Sequence, residues 1–152
     1  MGELSAGGVG VITPDLTVEE SDDWITATNL SALDRVYVVA PNSSEARLSL
    51  VSNRCSGFVY AASLMGVTGA RNEISKGAVE LVTRLRSATD LPIAVGLGIS
   101  NGDQAREVAH YADGVIVGSA FIKLALESSA HSEALTRIRG LAAELADSVR
   151  RK

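Results

Sequence analysis

Along the chain, short unbroken apolar runs alternate with longer stretches whose apolar residues fall three or four apart. The runs at 9–13, 35–40, 57–62, 92–95 and 114–117 read as strands covered on both faces. A strand open to water on one side would instead alternate apolar with polar. The intervening stretches read as helices. Trp24, Ile25 and Leu30 supply the inner face of the first, with Asp15 or Thr17 as its cap and Glu19, Glu20, Asp22 and Asp23 loading its start. Leu48 and Val51 face inward from 45–54, and Val79, Val82 and Leu85 from 76–88. Ala105, Val108, Ala109 and Ala112 mark the next helix, 121–127 forms a short one, and Leu135, Ile138, Ala142, Leu145 and Val149 make a stripe along 132–151.

Strand and helix in strict alternation predict an α/β fold with a parallel sheet and outer helices. About five parallel strands cannot close an eight-stranded barrel, so the alternatives are an open doubly wound sheet or a partial (β/α)8 TIM barrel. No linker or low-complexity stretch divides 1–152, which reads as a single domain.

The exits of the last two strands carry the candidate chemistry. Gly96 and Gly98 follow one, and Gly118-Ser119 follows the other where a helix begins. Bare backbone N–H groups beside a helix N-terminus can seat a phosphate. In a β/α barrel such a seat lies after the final strands, on the face where chemistry happens. The segment 63–72, with two glycines and no periodicity, is long for a strand-to-helix connection and has the character of a functional loop.

Composition narrows the classes. With 46% apolar but only 4% aromatic residues, the core must be aliphatic, which suits α/β layers. A net charge of −4 argues against nucleic acid as a partner. No apolar run is long enough for a membrane helix and no signal peptide precedes the first strand, so a cytoplasmic location is expected. The lone Cys55 excludes an internal disulfide, and no residues show metal-ligand spacing. His110 and His131 lack partners at metal or triad spacing, and the acidic cluster 19–23 reads as a solvated helix start.

Pro14-Asp15-Leu16 ahead of Glu19-Glu20, the run Gly66-Val67-Thr68-Gly69-Ala70, the turn Gly96-Leu97-Gly98-Ile99-Ser100, and Gly118-Ser119-Ala120 occur in this order. Together they resemble the second half of the tryptophan synthase alpha subunit, from about the fourth barrel strand onward. That family is a (β/α)8 barrel lyase of tryptophan biosynthesis, which splits indole-3-glycerol phosphate into indole and glyceraldehyde 3-phosphate.

The resemblance implies that Gly69, Gly98, Gly118 and Ser119 bind the substrate phosphate and that Thr68 supports catalysis from a closing loop. It places Tyr60, Leu97 and Ile116 in the substrate pocket, with Leu97 standing where the family often has Phe. Asp15 would sit at the contact with a beta subunit. No cofactor is implied on this chain, since the pyridoxal phosphate belongs to the beta subunit. The family's catalytic glutamate and aspartate come from the first half of the barrel, so no catalytic residue is assigned here and the isolated chain is expected to be inactive. The missing N-terminal half becomes a possible partner.

Two other readings stand beside this one. One is a non-enzymatic phosphate-binding half barrel or partner module. The other is a half barrel that dimerises into a phosphosugar enzyme, with Asp15 the only strand-end carboxylate to nominate. Alone, the chain would leave the edges of strands 9–13 and 114–117 open, with Val11, Val38, Val95 and Ile116 losing cover, whereas half barrels that pair must bury those edges. Marginal stability follows for the chain alone, with association or partial disorder expected, especially at 1–8 and 63–72.

Overall fold

The computed structural model describes residues 7–62, 71–96 and 98–150, together with their side chains except those of 71–75. The chain forms two compact units, Met1–Ala94 and Val95–Lys152.

The first unit holds β1 (Gly10–Ile12), a 3-10 turn (Val18–Glu20), α1 (Asp22–Leu30), β2 (Asp34–Val36), β3 (Val38–Val39), α2 (Glu45–Ser52), β4 (Val59–Ala62) and α3 (Arg71–Arg86). It also contains the start of β5 (Ile93–Gly96), whose four residues are all buried. The expected run 35–40 divides at Tyr37 because it changes partner. Its first part pairs parallel with β1, Ile12 opposite Val36, and its second pairs parallel with β4, Val38 opposite Tyr60 and Val39 opposite Ala61. Val39, Val59 and Ala61 are buried, whereas Val38, Tyr60 and Ala62 are half-buried. Successive residues point to opposite faces of a strand, so one face of this sheet is closed and the other partly open. Helix α2 packs on β3 and α3 on β4.

Several helical faces differ from the expected ones. Leu30 is 85% exposed, and α1 turns Thr28 inward, where its hydroxyl donates to the Trp24 and Ile25 carbonyls. Thr17 does flank the 3-10 turn, but its hydroxyl donates to Glu20 and caps no N–H; Ser21, not Thr17 or Asp15, precedes α1. Helix α3 starts at Arg71, so the last residues of the expected loop are helical. Its buried stripe is Ala78, Leu81, Val82 and Leu85, leaving Val79 39% exposed. Both sets fit a helical period; the side on which the sheet lies chose between them. Leu48 and Val51 are buried as expected.

Helix α1 ends with Ala32 in the left-handed region, at φ 51°. Leu33 N–H donates to the Thr28 carbonyl and Ala32 N–H to that of Asn29, the pair of bonds that closes a helix around a residue usually glycine. An L-residue in this region costs roughly 1–2 kcal/mol, against roughly 0.5–1 kcal/mol for the freedom a glycine loses on folding. Ala32→Gly is therefore expected to stabilise the unit by about 0.5–1 kcal/mol. A urea midpoint that rises with unchanged slope would bear this out.

The second unit continues from β5 with α4 (Gly102–Ala109), β6 (Gly114–Ile116), α5 (Ser119–Leu126) and α6 (His131–Arg150). Ala105, Val108, Ala109 and Ala112 are all buried, as their spacing predicts. On α6 the buried residues are Ala134, Leu145 and Ser148, while Leu135 is 39% exposed and Ala142 is exposed; the inward face is turned from the expected stripe. Val95 keeps its cover, being 1% exposed, contrary to expectation. Val11, Val38 and Ile116 are half-buried. Helix α6 packs along α4 and α5. At one point α6 meets α4 so closely that only glycine fits: a Cβ on Gly102 would lie 2.3 Å from Ser148 Oγ. There Gly102 N–H donates to Glu144 Oε1 at 2.6 Å. No described helix is long and apolar enough to cross a membrane.

Candidate functional site

Two strand exits in the second unit carry the candidate anion seat. Gly98 lies just beyond β5 with φ 72°, a conformation L side chains rarely adopt. It is exposed, while its neighbour Ile99 is 6% exposed and anchors the turn. Ser100 follows, then Asn101, whose side chain accepts from Gln104 N–H at 3.0 Å and caps α4.

Gly118 lies two residues beyond β6 and is the N-cap of α5, with φ −127°, ψ −72° and no side-chain cap bond. The first bonds of that helix run from Phe121 and Ile122 N–H to the Gly118 carbonyl, at 3.0 and 3.3 Å. The N–H groups of Gly118, Ser119 and Ala120 therefore precede any carbonyl the helix could offer them. Helices α1, α2, α4 and α6 each carry an acidic residue in their first turn; α5 has none. The positive end of its dipole is left without a charged side chain of its own, which favours an external anion. Ser119 is exposed, and nothing lies within 4 Å of where a Gly118 Cβ would be. Ile116, at the end of β6, is half-buried.

The other expected site residues fall elsewhere. Tyr60 is half-buried on β4, on the partly open face of the sheet, with its N–H donating to the Tyr37 carbonyl at 3.1 Å. Asp15 is exposed in the turn after β1. Thr68, Gly69 and Leu97 lie outside the described residues.

Hydrogen bonding to the Glu19 carboxylate, from its backbone first and from Arg47, lowers its pKa. Glu133 is lowered by the Ser129 hydroxyl and N–H, which it accepts at 2.7 and 3.0 Å in front of α6. Cys55 is buried, and desolvation pushes its thiol up, making it a poor nucleophile at neutral pH. His110 and His131 are exposed. Among the described residues no three His, Cys, Asp or Glu could jointly hold a metal ion.

Sequence reasoning passed over Gln104. Its side-chain oxygen accepts from both Ser100 N–H, at 2.8 Å, and Ser100 Oγ, at 3.1 Å. The signal was present as Asn101-x-x-Gln104, an N-cap followed three residues later by glutamine.

Comparison with known proteins places the chain. A family model described as tryptophan synthase alpha chain matches residues 3–150. The tryptophan synthase alpha chain of Mycobacteroides abscessus is 52% identical over 147 residues, covering 97% of this chain and 54% of the relative. That of Streptomyces avermitilis is 54% identical over 145 residues, covering 95% and 52%. Among solved structures, Mycobacterium tuberculosis tryptophan synthase is similar at TM-score 0.82 and 47% identity, over 97% of this chain and 54% of that one. The tryptophan synthase α2β2 complex of Pyrococcus furiosus gives TM-score 0.81 at 32% identity, over 95% and 58%. The chain spans about half the length of the curated relatives it matches. With the parallel strands described above, these likenesses make the fold a partial (β/α)8 barrel. The chain belongs to the tryptophan synthase alpha chain family.

Proposed function

We propose that these residues carry the phosphate-holding half of a lyase that splits indole-3-glycerol phosphate into indole and glyceraldehyde 3-phosphate, in cytoplasmic tryptophan biosynthesis. The observation that carries this reading is the start of α5, which has neither a capping side chain nor an acidic first turn. Gly118 and Ser119 offer backbone N–H groups and a hydroxyl there, and Gly98 offers a second, open turn at the exit of β5. Ile116 contacts the indole; Tyr60, Leu97, Gly69 and Thr68 keep the roles that family membership suggests. The exposed Asp15 serves a beta subunit, which holds the pyridoxal phosphate. The P. furiosus relative, described as an α2β2 complex, supports such a partner.

Cleaving the carbon–carbon bond requires a proton delivered to the indole ring and one removed from the glycerol hydroxyl. Positioned acids and bases each contribute roughly 10²–10⁴-fold to such steps. In this family that pair belongs to the other half of the barrel, so the 152 residues bind the phosphate end but do not turn the substrate over alone.

Titrating the ¹⁵N-labelled chain with glycerol 3-phosphate tests the seat. Saturable amide shifts at Gly98, Gly118 and Ser119 are expected. Shifts confined to other residues, or none at millimolar ligand, would refute the assignment.

A further inference from the structure

We infer that Gln104 is a positioning residue for the phosphate turn, rather than only a helix cap. This rests on the proposed reading of Gly98 as a phosphate contact. In the usual reciprocal cap, the glutamine three residues into a helix reaches back to the N-cap residue's own N–H. Here the N-cap is Asn101, and its side chain takes Gln104 N–H as expected. The return bond is displaced by one residue: Gln104 Oε1 accepts both the N–H and the hydroxyl of Ser100.

That displacement has a consequence for the seat. Both Ser100 donors are engaged by Gln104 and are not left to a ligand. Ile99 is fixed on its other side by burial. The turn is therefore held at Ile99 and Ser100, while Gly98, at φ 72°, remains exposed. Glu144, reaching from α6 to Gly102 N–H, fixes the next residues at 2.6 Å. Ser100 joins the α4 cap, through Ile99, to the exposed glycine, and Gln104 alone among these groups grips it by side-chain bonds. Releasing Ser100 lets the turn rotate and misdirects the Gly98 N–H without disturbing the α4 cap itself.

The experiment compares Gln104→Ala with Asn101→Ala in the full chain, using glycerol 3-phosphate as the probe. Asn101→Ala removes the helix cap but leaves Ser100 its acceptor. Both variants lower Tm modestly. Gln104→Ala is expected to weaken binding about five- to tenfold, from the loss of two hydrogen bonds that organise the turn, and to shift the free-state Gly98 amide. Asn101→Ala should keep binding within about twofold, since no seat-organising bond is lost. Equal weakening by both variants would reduce Gln104 to a cap, and unchanged binding in Gln104→Ala would also overturn the inference. A wild-type chain that fails to bind the probe would refute the phosphate seat itself, and the role of Gln104 with it.

Discussion

Ser119→Glu is expected to weaken glycerol 3-phosphate binding by at least about a hundredfold while leaving the protein as stable as before, or slightly more so. The two effects have opposite signs because one helix terminus governs both. Residue 119 opens α5, whose first turn carries no acidic residue and whose N-cap, Gly118, has no side chain to offer. A carboxylate there complements the dipole and adds roughly 0.3–1 kcal/mol to the helix. It also places a negative charge where the phosphate should sit and removes the hydroxyl donor. Two like charges about 4 Å apart repel by roughly 4 kcal/mol near a protein surface, and a hundredfold in affinity corresponds to about 2.7 kcal/mol. Calorimetric titration with thermal unfolding of the same sample reads both quantities. Lost stability together with lost binding would indicate that residue 119 supports structure. Retained binding would show that the anion does not use this terminus.

Much of the fold was legible because parallel strands leave short apolar runs, although of the described strands only β5 is buried throughout: β1, expected to be covered on both faces, leaves Ile12 44% exposed, and β6 is half-buried. The runs at 9–13, 57–62, 92–95 and 114–117 each contain an observed strand. The run at 35–40 was harder, since an apolar run shows that a strand is buried but not that it changes partner at Tyr37. Helical faces were the least legible. Val79 and Val82 both fit a helical stripe, as do Leu135 and Leu145, and only the position of the neighbouring element decides which one turns inward. Leu30 shows the same limit: an apolar side chain at the end of α1 stayed in solvent while Thr28 was buried by satisfying its hydroxyl within the helix.

The candidate seat was visible as glycines at strand exits, because conformational freedom and a backbone unshielded by any side chain are properties of glycine itself. What distinguishes Gly118 from an ordinary cap was not visible there. It is the comparison with other helix starts: Ser44 and Asn101 cap with their side chains, and α1, whose Ser21 makes no cap bond, carries Asp22 and Asp23 in its first turn, whereas α5 has neither device. Gln104 escaped notice because its reach to Ser100 depends on a side-chain rotamer, although the capping pattern that contains it was in plain view.

On the proposed reading, this chain holds the phosphate half of the lyase and takes its acid and base from the other half of the barrel. Indole release from indole-3-glycerol phosphate tests it most directly, assayed with the chain alone and with the N-terminal half of a related alpha chain added as a separate polypeptide. The chain alone should give no indole above the buffer rate, and the mixture should release it. Turnover by the chain alone would contradict the claim and point to a carboxylate within these residues, Asp15 first. No turnover in a mixture shown by light scattering to be associated would contradict it from the other side.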